Sequence, residues 1–174
     1  MKTVSLTIEQ PNNDLSRYGY NDKANMFFQT PYTFLPVAKG YKGAYGWLDE
    51  TYLGPQKHLD AFYLTERRCF LGDNKKGILC GALFRKNGDH KMIVLDYTIL
   101  DRMRKYELSA LPKEWFQQLQ KVFGNLAFDE KWLTAKQANE LLEKYIKENE
   151  ILKKDNNLTL LKDVSANESS KVLF

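Results

Sequence analysis

The chain has 174 residues, of which 43% are hydrophobic and 28% are charged, and its formal net charge is +4. A chain of this size and composition can bury a core of its own, which excludes a small fold that depends on disulfide or metal staples. We therefore expect a single domain, with room for a short appendage.

Two cysteines and the lack of any targeting pattern indicate where the protein works. No signal-peptide pattern opens the chain and no long uncharged apolar run occurs in it. We therefore expect a cytoplasmic protein without membrane contact, in which Cys69 and Cys80 are free and buried. The cysteines and the two histidines lack the close spacing of a zinc site, so we expect no metal and no cofactor.

Positive charge is concentrated in residues 67–105, which contain ten basic and four acidic side chains. The segment is therefore more positive than the whole chain, and the remainder is net acidic. Such a segment is typical of a protein that binds a polyanion. A solvated sheet edge protected by lysine and arginine has the same composition, and the sequence leaves both interpretations open.

The first third of the chain predicts one clear strand and a long irregular region. Residues 3–9 alternate in polarity and include β-branched side chains, which predicts a strand. Residues 11–22 are rich in turn formers and predict a loop. Residues 26–37 are apolar but contain two prolines, so we expect at most an extended edge segment. Residues 39–57 carry four glycines and predict a long loop.

Aromatic residues alternate with the glycines of this predicted loop, among them Tyr41, Tyr45 and Trp47. Flat rings on a loose backbone can stack on nucleic-acid bases, which makes these three side chains candidate base contacts. The alternative is a compact loop that its own rings hold against the body of the protein.

The middle of the chain predicts an antiparallel β-meander over about residues 59–100. Its three strands are predicted at residues 59–71, 78–86 and 91–100, and an Asn-Gly pair marks the second turn as a hairpin. Gly81 interrupts the middle strand and indicates a bulge or the close approach of another backbone.

Two helices are predicted after the meander. The first begins at Pro112, since proline suits the first position of a helix, and Gly124 closes it. Thr134 and Gln137 form a capping-box pattern that starts the second helix, expected over residues 134–154. The apolar stripe of this second helix predicts that it packs on its own domain or on a protein partner.

Together these elements predict an α+β fold, in which an N-terminal strand and the antiparallel β-meander pack against two C-terminal helices. The domain is expected to span residues 1–154. Residues 155–174 are polar and are expected to form a flexible tail.

No short catalytic motif is present, and the residues that could transfer protons are scattered. Asp60, Asp73 and Asp96 lie around the meander and could serve a magnesium-dependent nuclease. Asp96 interrupts an apolar run, so it points outward, pairs with arginine or belongs to a site. His58 precedes Asp60 by two residues, and histidine suits proton transfer near neutral pH. We assign no catalytic residue and expect a protein that is not an enzyme.

Three segments occur in the order TPYTFLPV (30–37), HLDAFYLTERRCFLGD (58–73) and DYTILDRMRKYE (96–107). Over about residues 30–107 they resemble the Cas7-like RAMP proteins, the RNA-binding subunits of type III CRISPR effectors. The resemblance implies a ferredoxin-like fold, guide-RNA binding and a CRISPR-associated role in antiviral defence. It also implies that the guide backbone is bound by Tyr32, Lys75, Lys76, Arg102 and Arg104.

Our first hypothesis is a non-enzymatic binding module for nucleic acid, RNA in particular, or for a nucleoprotein complex. Lysine and arginine neutralise phosphates, so further basic residues of the positive segment join the candidates. The full set of candidate phosphate contacts is Tyr32, Lys75, Lys76, Arg85, Lys86, Arg102, Arg104 and Lys105. The alternatives are a protein-interaction or inhibitor protein from a mobile element, and the small metal-dependent nuclease.

Overall fold

The computed structural model describes the backbone of residues 1–171 and the side chains of residues 1–162. Strands and helices are interspersed, which confirms the predicted α+β class. The strands are β1 (Lys2–Gln10), β2 (Ser16–Asn21), β3 (Met26–Thr33), β4 (Ala44–Leu48), β5 (Asp60–Leu64), β6 (Asn74–Arg85), β7 (Lys91–Leu95) and β8 (Glu130–Leu133). The helices are α1 (Leu35–Ala38), α2 (Tyr97–Leu100), α3 (Lys113–Phe123) and α4 (Ala135–Lys171), with 3₁₀ turns at Asp49–Thr51 and Leu108–Ala110.

Five of the strands close into a barrel. Around it the order is β1-β4-β5-β7-β6, and β6 returns to pair with β1. All neighbours are antiparallel except β5 and β7, which run parallel. The 12 residues of β6 let it pair with β1 and β7 along its length and with β8 at its end. β2 and β3 form a separate antiparallel hairpin.

The barrel interior is filled by alternate side chains of all five strands. Successive residues of a strand point to opposite faces, so β1 sends Val4, Leu6 and Ile8 inward, and all three are buried. Ala138 and Leu142 of α4 complete this core and are fully buried. The core fixes the register of the barrel, because a slip of one residue would turn the apolar side chains of β1 toward solvent.

A second core covers the outer face of β5, β6 and β7. Its strand residues include Phe62 and Ile93, and α3 lies over them with Trp115 and Leu119, which are 3% and 1% exposed. The first residues of β5 and β7 lie outside this core and remain partly exposed. Polar side chains therefore collect at that end of the outer barrel face.

The predicted meander does not form. β6 and β7 make the expected antiparallel hairpin, but β5 pairs with β7 in parallel and not with β6. The reason is barrel closure, since β6 is already hydrogen-bonded to β1 on one edge and to β7 on the other. The prediction for Gly81 is confirmed: the register of β6 and β7 shifts between Leu79 and Gly81, and a Cβ on Gly81 would lie 2.4 Å from Cδ1 of Leu108.

Two strands lie in segments that the sequence predicts as loops. β2 lies within residues 11–22 and pairs with β3, and β4 lies within residues 39–57, between β1 and β5. Gly46 argues against a strand by propensity. It is nevertheless required in β4, because a Cβ at this position would lie 1.8 Å from the carbonyl oxygen of Thr7 in β1.

Both predicted helices form, with the expected start signals. α3 begins after Pro112 and ends at Gly124, which has a φ of +59°. At the start of α4, the Thr134 amide donates to Oε1 of Gln137 at 3.0 Å, and the Gln137 amide donates to Oγ1 of Thr134 at 3.3 Å. The predicted capping box is therefore confirmed.

The helix α4 is longer than predicted. Its first half packs on its own domain, and near its middle Asn149 donates from Nδ2 to the carbonyl oxygen of Thr51 at 3.1 Å. It then continues past residue 154 to Lys171, so most of the predicted tail is helical. The flexibility of this tail stays a prediction, and residues 172–174 lie outside the described part of the chain.

Two further expectations concern the environment of the protein. Cys69 and Cys80 are free and buried, as predicted. Within the described range, none of the helices combines the length and the apolar character that crossing a membrane requires.

Asp96 caps the start of α2, directly after β7, and is fully buried. Arg67 donates to its two carboxylate oxygens from Nε at 2.8 Å and from Nη2 at 2.5 Å, and Oγ1 of Thr65 donates at 2.6 Å. Burial by itself would raise the pKa of Asp96, but these hydrogen bonds outweigh it and hold the pKa at about 2. Of the three alternatives for Asp96, the structure shows pairing with arginine.

Replacing Gly46 with alanine tests the close approach of β4 and β1. We expect Gly46→Ala to lower the free energy of unfolding by about 2–3 kcal/mol, because the backbones must separate to admit a methyl group. Urea denaturation followed by circular dichroism measures the loss. Gly88→Ala is the matched control: it has an unfavourable φ of +85° but open space around it, and should cost about 1 kcal/mol. Equal losses in both variants would contradict the close approach.

The Asp96 ion pair predicts a specific dependence of stability on pH. Its pKa is lower in the folded protein than in an unfolded chain, so its stabilisation is complete above about pH 4 and disappears as the pH falls toward 2. We expect Asp96→Asn to lower the free energy of unfolding at pH 7 by about 2–3 kcal/mol, since it removes the buried charge that accepts hydrogen bonds from Arg67 and Thr65. The difference should shrink between pH 4 and pH 2. A constant difference across that range would show that Asp96 is not the titrating group.

Candidate active site

A cleft of about 600 Å³ opens on the outer face of the barrel. It lies where the β2–β3 hairpin, α1 and the end of α3 meet strands β4 to β7. The residues that line it are Arg17, Tyr32, Thr33, Phe34, Leu35, Pro36, Lys39, Tyr45, Phe62, Arg85, Asp89, Lys91, Val122 and Phe123.

Four aromatic rings form a continuous apolar lining in the cleft. The ring of Tyr45 lies 5.3 Å from that of Phe34 and 5.0 Å from that of Phe62, and the Phe62 ring lies 5.2 Å from that of Phe123. Their tilted and edge-on arrangements are those that aromatic pairs favour. This row of rings is rigid, because each ring is packed against the next.

Four cationic side chains surround these rings, whereas Asp89 is the acidic residue of the lining. Arg85 lies over the Phe123 ring at 5.7 Å and Lys91 over the Tyr45 ring at 5.6 Å. Arg17 projects from β2, and Lys39 follows α1. Within residues 1–162 neither Arg17 nor Lys39 forms an ion pair, so both charges are available to an anion in the cleft.

Lys91 is the centre of a polar network at the start of β7. Its Nζ donates to Oδ2 of Asp60 at 2.7 Å, to Oδ1 of Asp89 at 2.8 Å and to Oη of Tyr45 at 3.1 Å. Asp60 is the neighbour of Lys91 in the parallel register of β5 and β7, which explains why the two side chains meet. The network holds the ammonium group at the edge of the cleft with all its protons used.

Asp60 also contacts His58, the residue that sequence analysis paired with it. Nε2 of His58 lies 3.1 Å from Oδ1 of Asp60, and Nδ1 lies 2.9 Å from the carbonyl oxygen of Gly54. Burial would lower the pKa of His58, but these two partners outweigh it and raise the pKa. Burial would raise the pKa of Asp60, yet His58 and Lys91 hold it at about 2. Asp60 is therefore ionised at neutral pH.

The pKa of Glu9, near the end of β1, is shifted in the opposite direction from that of Asp60. Burial and then the negative charge of Asp60 raise the pKa of Glu9 to about 7, although His58, Arg17 and Lys91 oppose the shift. Glu9 is not part of the cleft lining, but two of these opposing charges are. Glu9 and Asp60 thus have pKa values near 7 and near 2, a separation typical of groups with different roles in acid–base chemistry.

The three aspartates of the nuclease hypothesis have separate partners. Asp60 binds His58 and Lys91, Asp73 pairs with Lys75 at 3.4 Å, and Asp96 is buried with its arginine. In the part of the chain with described side chains, no three histidine, cysteine, aspartate or glutamate residues are grouped so that they could hold a metal ion.

The structure distributes the predicted phosphate contacts over several elements. Tyr32 and Arg85 line the cleft. Lys75 and Lys76 lie at the start of β6, where this strand pairs with β1, and Arg102 is bound by two carboxylates at 2.6 and 3.0 Å. The remaining predicted contacts are exposed on the loops after β6 and α2: Lys86, Arg104 and Lys105.

The predicted aromatic contacts belong mainly to the body of the protein. Tyr41 is 1% exposed and its hydroxyl donates to the carbonyl oxygen of Ala44 at 2.7 Å. Trp47 is 6% exposed and lies 4.8 Å from the ring of Tyr52. Tyr45 is the one of the three that lines the cleft.

Sequence reasoning missed Arg17, Lys39 and Glu9, and assigned no role to Lys91. Arg17 and Lys39 lie in segments predicted as loop, where isolated basic residues are unremarkable. Glu9 ends a strand whose other outward residues are polar. The His58-x-Asp60 spacing before β5 is visible in the sequence, but it points to neither Glu9 nor the two missed cations of the cleft.

Comparison with known proteins identifies the fold. No protein-family profile and no curated protein sequence matches the chain. Solved structures do match: an inorganic pyrophosphatase from Neisseria gonorrhoeae has a TM-score of 0.65 and 19% identity, covering 84% of this chain and 90% of that one. One from Helicobacter pylori has a TM-score of 0.61 and 19% identity, with coverages of 84% and 93%. One from Thermus thermophilus has a TM-score of 0.63 and 18% identity, with coverages of 84% and 90%.

These matches overturn two expectations. The resemblance to Cas7-like RAMP proteins was wrong, because the fold is a closed barrel that the chain shares with inorganic pyrophosphatases over most of its length. The prediction of a non-enzymatic nucleic-acid module with a CRISPR-associated role was also wrong, since the proteins that share this fold are enzymes by name. The fold of this chain is that of the inorganic pyrophosphatases.

Proposed function

We propose that this chain is a hydrolase that cleaves a phosphoanhydride bond in a small phosphorylated compound bound in the cleft. One observation carries the proposal: four cationic side chains line the cleft, and a carboxylate with a pKa near neutrality lies beside it. Cations hold phosphate oxygens, and such a carboxylate can exchange protons at physiological pH. The proteins that share the fold are named for inorganic pyrophosphate, a phosphoanhydride.

In the proposed reaction a water oxygen attacks one phosphorus atom of the phosphoanhydride. The bond between that phosphorus and the bridging oxygen breaks, and its electron pair stays on the leaving phosphate. The proton of the attacking water passes to the carboxylate of Glu9, the general base, through one bridging water, because Glu9 lies beside the cleft and not in its lining. Arg17 and Lys39, which form no ion pair within residues 1–162, bind the phosphate oxygens directly, and the positive charges of Arg85 and Lys91 lie beside them.

Asp60 has a supporting part in this proposal. With a pKa of about 2 it stays ionised, so it fixes Lys91 at the cleft and raises the pKa of Glu9 through its charge. Their different surroundings thus give Asp60 a positioning role and Glu9 a proton-accepting role. We also propose a cytoplasmic setting, in keeping with the free thiols of Cys69 and Cys80.

The first test measures phosphate release from a panel of small phosphoanhydrides that includes inorganic pyrophosphate, with and without magnesium. We expect Arg17→Gln to weaken binding of the cleaved compound about tenfold, because it removes a charge-assisted contact. Arg104→Gln is the matched control, since Arg104 is exposed outside the cleft, and should change affinity less than twofold. Release of phosphate from no member of the panel would contradict the proposed hydrolysis.

The second test concerns Glu9. A general base must be deprotonated, so turnover should rise with pH through the pKa of about 7 and then level off. Glu9→Gln should lower kcat on the order of 10²-fold and abolish this pH dependence.

A stability measurement checks the same pKa independently of activity. The pKa of Glu9 is higher in the folded protein than in the unfolded chain, so wild-type stability should fall as the pH rises from about 4.5 to about 7. Glu9→Gln should remove this part of the decrease. Identical stability profiles for the wild type and Glu9→Gln would contradict the raised pKa.

A further inference from the structure

We propose that the ligand of the cleft is a nucleoside diphosphate or triphosphate, and not a bare inorganic diphosphate. This inference rests on the proposed function for its phosphate-binding part. It goes beyond that function in explaining the apolar lining of the cleft, with which a bare diphosphate makes no favourable contact.

The cleft is large enough for an organic ligand. Its volume of about 600 Å³ falls within the range of pockets that hold organic molecules of drug size, which combine an apolar lining with a few placed polar groups. A bare diphosphate consists of charged oxygens around two phosphorus atoms and gains nothing from contact with Phe34, Leu35 or Val122. The cleft is therefore built for a ligand with both a charged and an apolar part.

Tyr32 and Leu35 are exposed on either side of a buried neighbour. Tyr32 is 69% exposed and Leu35 is 63% exposed, whereas Phe34 between them is 8% exposed. Within residues 1–162 the Tyr32 ring stacks on no other ring and its hydroxyl makes no hydrogen bond. The ring is thus an unused flat surface at the cleft, and flat aromatic surfaces of this kind stack on nucleobases.

The exposed ring of the cleft, and its two cations that form no ion pair within residues 1–162, come from the β2–β3 hairpin and the α1 segment, the additions to the barrel. Tyr32 lies near the end of β3 and Leu35 begins α1, whereas Arg85 ends β6 and Lys91 begins β7. Arg17 of β2 and Lys39 after α1 lie on the same additions to the barrel as the Tyr32 ring, which suits a ligand with phosphates at one end and a ring at the other. Arg17 can serve either end, because a guanidinium group binds phosphate and also stacks on bases.

The test compares two ligands that cannot be hydrolysed, using the full chain and isothermal titration calorimetry. The probes are α,β-methylene adenosine 5′-diphosphate and methylenediphosphonate, which share the P–C–P group and differ in the nucleoside. We expect the nucleotide to bind at least tenfold more tightly. We also expect Tyr32→Ala to reduce the ratio of the two affinities about tenfold, whereas Tyr106→Ala, a tyrosine outside the cleft and 45% exposed, should leave the ratio unchanged.

Equal affinities, or a ratio that does not respond to Tyr32→Ala, would overturn the inference. Tighter binding of a farnesyl methylenediphosphonate or of a single-stranded oligonucleotide than of the mononucleotide would overturn it as well. None of these results bears on the phosphate-release assay, which tests the proposed hydrolysis separately. Failure of this inference can therefore be distinguished from failure of the proposed function. Because Tyr32 is exposed, Tyr32→Ala should melt within 2 °C or so of the wild type, which confirms that a loss of affinity is local.

Discussion

Closure of the barrel by the hydrogen bonds between β1 and β6 is the constraint on which the other features depend. It uses the second edge of β6, so β5 must find its partner in β7 and the two run parallel. The parallel register then places Asp60 beside Lys91 at the start of both strands. Without closure the chain could form the simple meander that its local signals favour, and these two side chains would not meet in this way.

The balance of charges where β5 and β7 begin follows from their parallel pairing. Lys91 binds two aspartates and a tyrosine hydroxyl, while Asp60 divides its oxygens between Lys91 and His58. The ionised Asp60 helps to raise the pKa of Glu9, on the neighbouring face of β1. Burial and the nearby charge of Asp60 make ionisation of Glu9 costly, and carboxylates with pKa values shifted in this way are more common in functional sites than on ordinary surfaces.

The cleft joins this network to a surface that the barrel alone does not supply. The β2–β3 hairpin and α1 lie outside the barrel and contribute Arg17, Lys39 and the exposed ring of Tyr32. The rings of Tyr45, Phe62 and Phe123 belong to the second core, on the outer face of the barrel. The barrel thus forms the base of the site, whereas the β2–β3 hairpin and α1 determine which ligands the cleft accepts.

Local signals in the sequence determined β1, the β6–β7 hairpin and the starts of α3 and α4, because alternation, an Asn-Gly turn and capping residues act within a few positions of one another. They also predicted that Cys69 and Cys80 are free and that Gly81 marks an irregularity. Tertiary structure alone decided that the glycine-rich segment around Gly46 is a central strand, since the reason is the backbone of Thr7, 39 positions earlier. The same holds for the candidate site: Glu9, Asp60 and Lys91 come from three strands far apart in the sequence, and only the closed barrel brings them close enough to shift the pKa values of Glu9 and Asp60.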